Sequence, residues 1–255
     1  MQRTHSGRSA LIRLATAGTL TLLLGAALIA VQTTASAAGA PSTAITVRVE
    51  GSKRTLVPAT SVALSGGTIV KDGVAADSCS GLSAAGALAL ATRGDWSGTW
   101  AASFSAYFLT TIDSLAFPST GAEYWAFWVN NAPASEGICS YDPKPGDSLL
   151  FFPDCFGKSC PKNAGVLGVK APAIAVVGRP YTVSVTAYSD AKGTPSKAVG
   201  ATVSGGGAQA MTAANGTAKL SFTQAGRFTL KVGAPHALRT ETRVCVETAA
   251  ARTCG

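Results

Sequence analysis

The sequence predicts a mainly β protein in two parts: an α+β roll, with a sheet wrapped over one helix, and then a β-sandwich. Three observations carry that expectation. All four tryptophans and the one convincing helical pattern fall within residues 44–153. Residues 166–255 contain no tryptophan, and as far as Val246 they read as short alternating strands separated by glycine turns. Between the two, residues 154–165 have the texture of a linker with a small disulfide clasp, in the stretch PDCFGKSCPKNAG.

In the first part, Ile45 to Glu50 alternates apolar and polar residues, as a half-buried strand does. Residues 51–54 can turn it into a second extended run, Thr55 to Leu64. Leu82, Ala85, Ala89 and Thr92, with Leu88 alongside, recur at helical spacing. Ser80 is the expected N-cap and Gly94 the expected stop. Trp100 to Ile112, Tyr124 to Asn130 and Ser148 to Phe152 read as strands, and this order suggests a sheet over a helix. In the second part, Thr182 to Tyr188 alternates with Val183, Val185 and Ala187 inward. Asn215-Gly216 predicts a hairpin between Gln209–Thr212 and Ala218–Thr223. Several short strands at this spacing point to a sandwich.

The N-terminus carries Arg3, Arg8 and Arg13, then an apolar run from Ala15 to Val31, then Ala35-Ser36-Ala37. That order is a secretory signal, residues 1–37, with cleavage expected after Ala37. The remaining 218 residues have a net charge of +5 and no lysine or arginine cluster, which argues against nucleic-acid binding. No later apolar stretch is long enough to span a bilayer.

All six cysteines (Cys79, Cys139, Cys155, Cys160, Cys245, Cys254) follow the signal, and an even number in a secreted chain predicts disulfides. Fifteen pairings are formally open. Sequence distance favours Cys155 with Cys160 and Cys245 with Cys254, leaving Cys79 with Cys139. That last loop would restrict the unfolded chain most, by about 4 kcal/mol in the chain-entropy model. With no Cys-x-x-Cys and a single mature histidine, His236, neither a metal nor any other cofactor is expected.

Four of the 18 aromatic residues sit in EYWAFWVNN, residues 123–131. Alternation places Tyr124, Ala126, Trp128 and Asn130 on one face and Trp125, Phe127 and Val129 on the other. One ring set is expected in the core, with the other partly exposed. Tyr124, Trp125, Trp128 and Asn130, extended by Trp96 and Trp100 near the helix exit, are therefore the candidate ligand-binding residues. Asp142-Pro-Lys-Pro-Gly-Asp147 reads as a rigid turn rather than a calcium loop. Asn215-Gly-Thr217 fits a glycosylation sequon, though the turn explains it sufficiently.

CSGLSAAGALALATRGDW, followed by YWAFWVNNAPASEGICSYDPKPGDSLLFF, resembles the transcobalamin C-terminal-like β-grasp family. Secreted actinobacterial proteins look similar over nearly the whole mature chain. In them an Ig-like domain follows, ending in Val-Cys-Val…Thr-Cys-Gly. The resemblance implies a β-grasp fold over 44–153, an Ig-like β-sandwich over 166–255 and an extracellular or cell-wall setting. In vitamin B12 carriers the related domain covers one face of the corrinoid.

Catalytic machinery is not evident. His236 has no nucleophile motif near it, and there is neither Gly-x-Ser-x-Gly nor a phosphate-cradling loop. The expectation is a secreted, non-enzymatic protein that binds an extracellular protein, glycan or small ligand. The alternatives are a corrinoid-like carrier using the aromatic face, and a structural wall component.

Overall fold

The computed structural model describes residues 44–118, 121–156, 165–188 and 192–250. The expected signal segment, Cys160, Cys254 and most of the expected linker lie outside them. The described chain is mainly β with one α-helix, and no described helix is long and apolar enough to cross a membrane.

The first part runs β1 (Ile45–Glu50), β2 (Thr55–Val62), β3 (Thr68–Val70), β4 (Ser78–Ser80), α1 (Ala84–Thr92), β5 (Trp96–Ala101), β6 (Ala106–Ile112), β7 (Leu115–Ala116), β8 (Glu123–Val129), β9 (Ala132–Pro133) and β10 (Ser148–Cys155). One sheet has the order β2-β1-β10-β8-β9, with β1 and β10 parallel and the other pairs antiparallel. A second sheet is β5-β6-β7, and β3-β4 form a small ribbon.

The helix is short and small-faced. Ala84, Ala85, Gly86, Ala87 and Leu88 are buried, whereas Leu82 precedes the helix and is exposed. The helix begins three residues later than capping by Ser80 would place it. Ser80 Oγ instead accepts the Leu82 N–H at 3.1 Å, and Ser83 takes the N-cap position. The first-turn donors find partners in the loop before β10. Ala84 N–H donates to the Tyr141 carbonyl and Ala85 N–H to that of Ile138, each at 2.8 Å. The Cys79–Cys139 disulfide bonds the same loop to β4. Cys155 and Cys245 are disulfide-bonded as well, and their expected partners fall outside the described residues.

The predicted strand from Trp100 to Ile112 is a hairpin. β5 and β6 are joined by a 3-10 turn at Ala102–Phe104 and by Ser105 at φ +46°. β1 is not half-buried but buried on both faces, including Arg48 and Glu50.

The second part runs β11 (Gly165–Lys170), β12 (Ile174–Val176), β13 (Tyr181–Tyr188), β14 (Pro195–Lys197), β15 (Thr202–Gly205), β16 (Ala208–Met211), β17 (Thr217–Leu220), β18 (Gly226–Gly233), β19 (Ala237–Leu238) and β20 (Thr240–Glu247). One sheet is β14-β13-β11-β19 with β17 also on β13; the other is β12-β20-β18-β15-β16. Val183 and Val185 from the first sheet share a core with Val203, Leu230, Val232 and Val244 from the second. The Asn215-Gly216 turn is present, with Asn215 Oδ1 accepting the Thr217 N–H at 3.0 Å. It is no hairpin, however: β16 pairs β15 and β17 pairs β13, so the turn carries the chain from one sheet to the other.

A buried ion cluster joins the two parts. Glu50 is fully buried. Arg48 Nη1 lies 3.2 Å from one of its oxygens and Arg239 Nη1 3.6 Å from the other. Thr55 Oγ1 donates to Glu50 at 2.9 Å, Arg48 donates to the Arg239 carbonyl, and Arg239 Nη2 donates to the carbonyls of Gly51 and Ser52. Burial raises the Glu50 carboxyl and lowers the Arg48 guanidinium despite their mutual attraction. Desolvation dominates here, so the cluster fixes geometry more than it adds net stability.

Two predictions follow from this packing. A Cβ on Gly86 would lie 2.0 Å from the Gly81 carbonyl oxygen, a backbone atom with little room to move. Gly86→Ala should therefore lose about 1–3 kcal/mol in urea unfolding despite its better helix propensity. Glu50→Ala strands buried Arg48 and should cost about 3–5 kcal/mol in the same measurement.

Candidate functional site: an aromatic cleft between two strand edges

β8 is filled on both faces, which accounts for its ring content. Trp125, Phe127 and Val129 join the core that contains the helix, with Phe127 stacked on Phe151 at 5.0 Å and Trp125 edge-on to Phe117 at 5.5 Å. On the other face Ala126 and Trp128 pack with Leu150, Phe152, Val166 and Leu238. Of its rings only Tyr124, at 41 % exposure, stands clear at the end of the strand, beside exposed Glu123.

Beside β8 lies a cleft of about 650 Å³, bounded by β6 on one side and β8 on the other. Of the described residues lining it, nine are aromatic, half of the 18 in the chain. Phe104 and Phe108 form an edge-to-face pair at 5.7 Å, and Tyr124 and Phe156 a tilted pair at 5.9 Å. Phe104, Phe108 and Phe156 are 66, 53 and 62 % exposed. Large rings left in water at this density are uncommon on a protein surface. The inner wall is made by Tyr107, Phe117, Trp125 and Ile138, all buried. Gly137 closes one end, where a Cβ would lie 3.1 Å from that of Ala106. Among the described residues Glu123 and Glu136 are the acidic ones lining the cleft, and no lysine, arginine or histidine lines it. Trp125 Nε1 is buried without a hydrogen-bond partner.

The six predicted site residues separate into three places. Tyr124, Trp125 and Trp128 line the cleft. Trp96 and Trp100 instead flank Tyr107, whose ring they meet edge-on at 6.0 and 5.0 Å. Lys71 Nζ lies over the Trp96 ring at 4.5 Å. Tyr107 is thus shared: its ring lines the cleft, while its hydroxyl bonds to Asp72 and the Asp77 carbonyl and accepts the Lys71 N–H. Asn130 belongs to a turn, at φ +51° beside Asn131 at +65°. Its Nδ2 donates to Asp147 and its Oδ1 accepts the Ser148 N–H.

Sequence reasoning missed Phe104, Phe108, Phe117 and Phe156, which are scattered singly along the chain and meet only in the fold. Their type was a signal, their spacing was not. His236 sits in a left-handed turn before β19 and lines a second recess of about 330 Å³ with Glu123, Asp154 and Arg239. Among the described residues no group of three or more His, Cys, Asp or Glu could hold a metal ion.

Residues 97–152, which include both walls of the cleft, match the family model described as "Domain of unknown function (DUF4430)". No curated protein matches the chain. Among solved structures the chain is similar to the Arg-specific cysteine proteinase gingipain R (16 % identity, TM-score 0.27, covering 39 % of this chain and 22 % of that one). It is also similar to the complex of Porphyromonas gingivalis RgpB pro- and mature domains (17 % identity, TM-score 0.27, 38 % and 23 % covered). Red sea bream transglutaminase is a third (22 % identity, TM-score 0.22, 41 % and 17 % covered). The chain therefore spans less than a quarter of each of these proteins.

The turn that ends β8 generates a prediction of its own. Asp147 accepts from Tyr141 Oη, the Lys144 N–H and Asn130 Nδ2, each at 2.8 Å. Burial alone would raise its carboxyl, but these three bonds outweigh burial and hold it below the usual value. Burial and Asp147 together push the Tyr141 phenol up to about 12. A depressed carboxyl contributes stability above its unfolded value of about pH 4, and that contribution is lost as pH falls through the lower folded value. Asp147→Asn should cost about 1 kcal/mol at neutral pH and flatten the loss of stability below about pH 4, as read by thermal unfolding against pH.

Proposed function

We propose that this chain is a secreted, non-enzymatic binding protein whose working surface is the aromatic cleft. In this reading a β-grasp module over residues 44–153, related to the transcobalamin C-terminal domain, presents the cleft. An Ig-like module over residues 166–255 braces it through the Arg48–Glu50–Arg239 cluster. The observation that carries the proposal is the exposure of three phenylalanines and Tyr124 around one concavity whose inner wall is already packed. A cleft of about 650 Å³ is in the usual range for a ligand site, about 300–1,000 Å³. Its described lining supports binding rather than acid/base or nucleophilic chemistry, because Glu123 and Glu136 stand among rings and no nucleophile–base pair is present among the described residues.

A second reading, a carrier of a corrinoid-like small ligand, draws on the same volume and on the family resemblance. Tryptophan fluorescence separates the two. Trp125 and Trp128 line the cleft, so cobalamin held there should quench saturably after correction for its own absorbance.

The primary test uses an apolar dye that fluoresces on desolvation. The protein should bind it saturably, and Phe104→Ser/Phe108→Ser should weaken binding at least about tenfold, since each ring contributes on the order of 1–3 kcal/mol of apolar burial. Both rings are more than half exposed, so the melting temperature should stay within a few degrees. Dye binding unchanged in the double variant would remove the cleft from consideration.

A further inference from the structure

The cleft offers more than rings, because its β8 wall is an unpaired strand edge. Pro153 of β10 stands opposite Trp125 and has no N–H to donate, so this is a non-hydrogen-bonded pair. The N–H and C=O of Trp125 therefore point away from β10, and by the period of two so do those of Glu123 and Phe127. Two bonds agree with this parity. The Phe127 carbonyl accepts the Ala134 N–H on the β9 side, and the Ala122 carbonyl accepts the Phe156 N–H on the β10 side. β9 covers that edge only opposite Trp128 and Val129. Among the described residues nothing pairs with the backbone of Glu123 or Trp125 on the cleft side. The facing wall, Ala106 to Leu109 of β6, has β5 on its far side and no strand on its cleft side.

We propose, on the reading of the cleft as a binding site, that its ligand is an extended polypeptide segment that adds to the β8 edge as a further strand. Backbone groups of Glu123 and Trp125 supply the register, the pairing mode of strand addition. Alternate side chains of the guest then fall on two sides of the sheet. One set faces the exposed rings of Phe104, Phe108 and Phe156, and the other faces the packed inner wall at Trp125 and Phe117. The charge of the guest follows from the lining. Among the described residues the lining of the cleft holds Glu123 and Glu136 and no cationic side chain. The fitting partner is a peptide of alternating apolar residues with lysine or arginine at its ends. A glycan would use the rings and leave the backbone edge unused.

The experiment is a titration of the purified protein with a synthetic octapeptide that alternates phenylalanine with threonine between terminal lysines. It is read by calorimetry and by amide hydrogen exchange. Binding should slow exchange at Glu123 and Trp125 at least tenfold. N-methylation of the peptide amides on one alternating set should weaken binding at least tenfold, and methylation of the other set should leave it within about twofold. Glu123→Gln/Glu136→Gln should weaken binding several-fold and reduce its salt dependence. Peptide binding that neither set of methyl groups disturbs, with exchange at Glu123 and Trp125 unchanged, would overturn strand addition. So would an oligosaccharide that binds where the peptide does not. If the apolar dye described above fails to bind as well, the cleft reading itself is what falls.

Discussion

The strand pair β8–β10 is buried on both faces, and the rest of the molecule is arranged to satisfy it. A strand that is one wall of two cores must carry large side chains at successive positions, not alternate ones. Trp125 and Phe127 fill the helix side while Trp128 and Phe152 fill the other. The helix answers with the opposite composition: Ala84, Ala85, Gly86 and Ala87 bring its backbone close to neighbouring chain and leave volume for the rings. The concentration of aromatics in residues 123–129 is thus first a packing solution. Its functional consequence comes afterwards, because a strand so firmly held on two faces and one edge has only its remaining edge to offer.

The Glu50 cluster holds the second part against this sheet. Arg239 reaches the first part from 191 residues after Arg48, and its guanidinium donates to two backbone carbonyls of the β1–β2 turn. A hydrophobic contact could have joined the two parts at less desolvation cost. What ions add is a fixed register, since a shift of one residue would take Arg239 away from Glu50 and from the Gly51 and Ser52 carbonyls. Fixing that register also fixes Val166 and Leu238 beneath Trp128.

How far the sequence foretold this can be judged residue by residue. Strict alternation located β1 and β13 almost to the residue, because a sheet face imposes a period of two directly on composition, and the aromatic run located β8. The β5–β6 hairpin was invisible because its turn, Ala-Ser-Phe-Ser, lacks glycine, asparagine and proline and places Ser105 in the left-handed region. Asn215-Gly216 announced a turn correctly, but local chemistry holds no information about which sheet receives the next strand. At the site, Trp125 and Tyr124 stood out through clustering. Phe104, Phe108 and Phe156 did not, since isolated phenylalanines in a sequence look alike whether the fold buries them or gathers them round a cleft.

The same geometry resolves a difficulty that an open strand edge would otherwise create. Unpaired edges invite any other strand, and proteins usually blunt them with charge, proline or a covering element. Each device is present here in part: Pro133 in β9, Glu123 at the start of β8, and β6 as the facing wall of the cleft. Together they narrow the edge to the few residues of β8 that precede β9. On the proposed reading, protection against promiscuous pairing and selection of an unfolded partner are the same structural feature, and Glu123 and Glu136 in the described lining give the sign of the charge proposed for that partner.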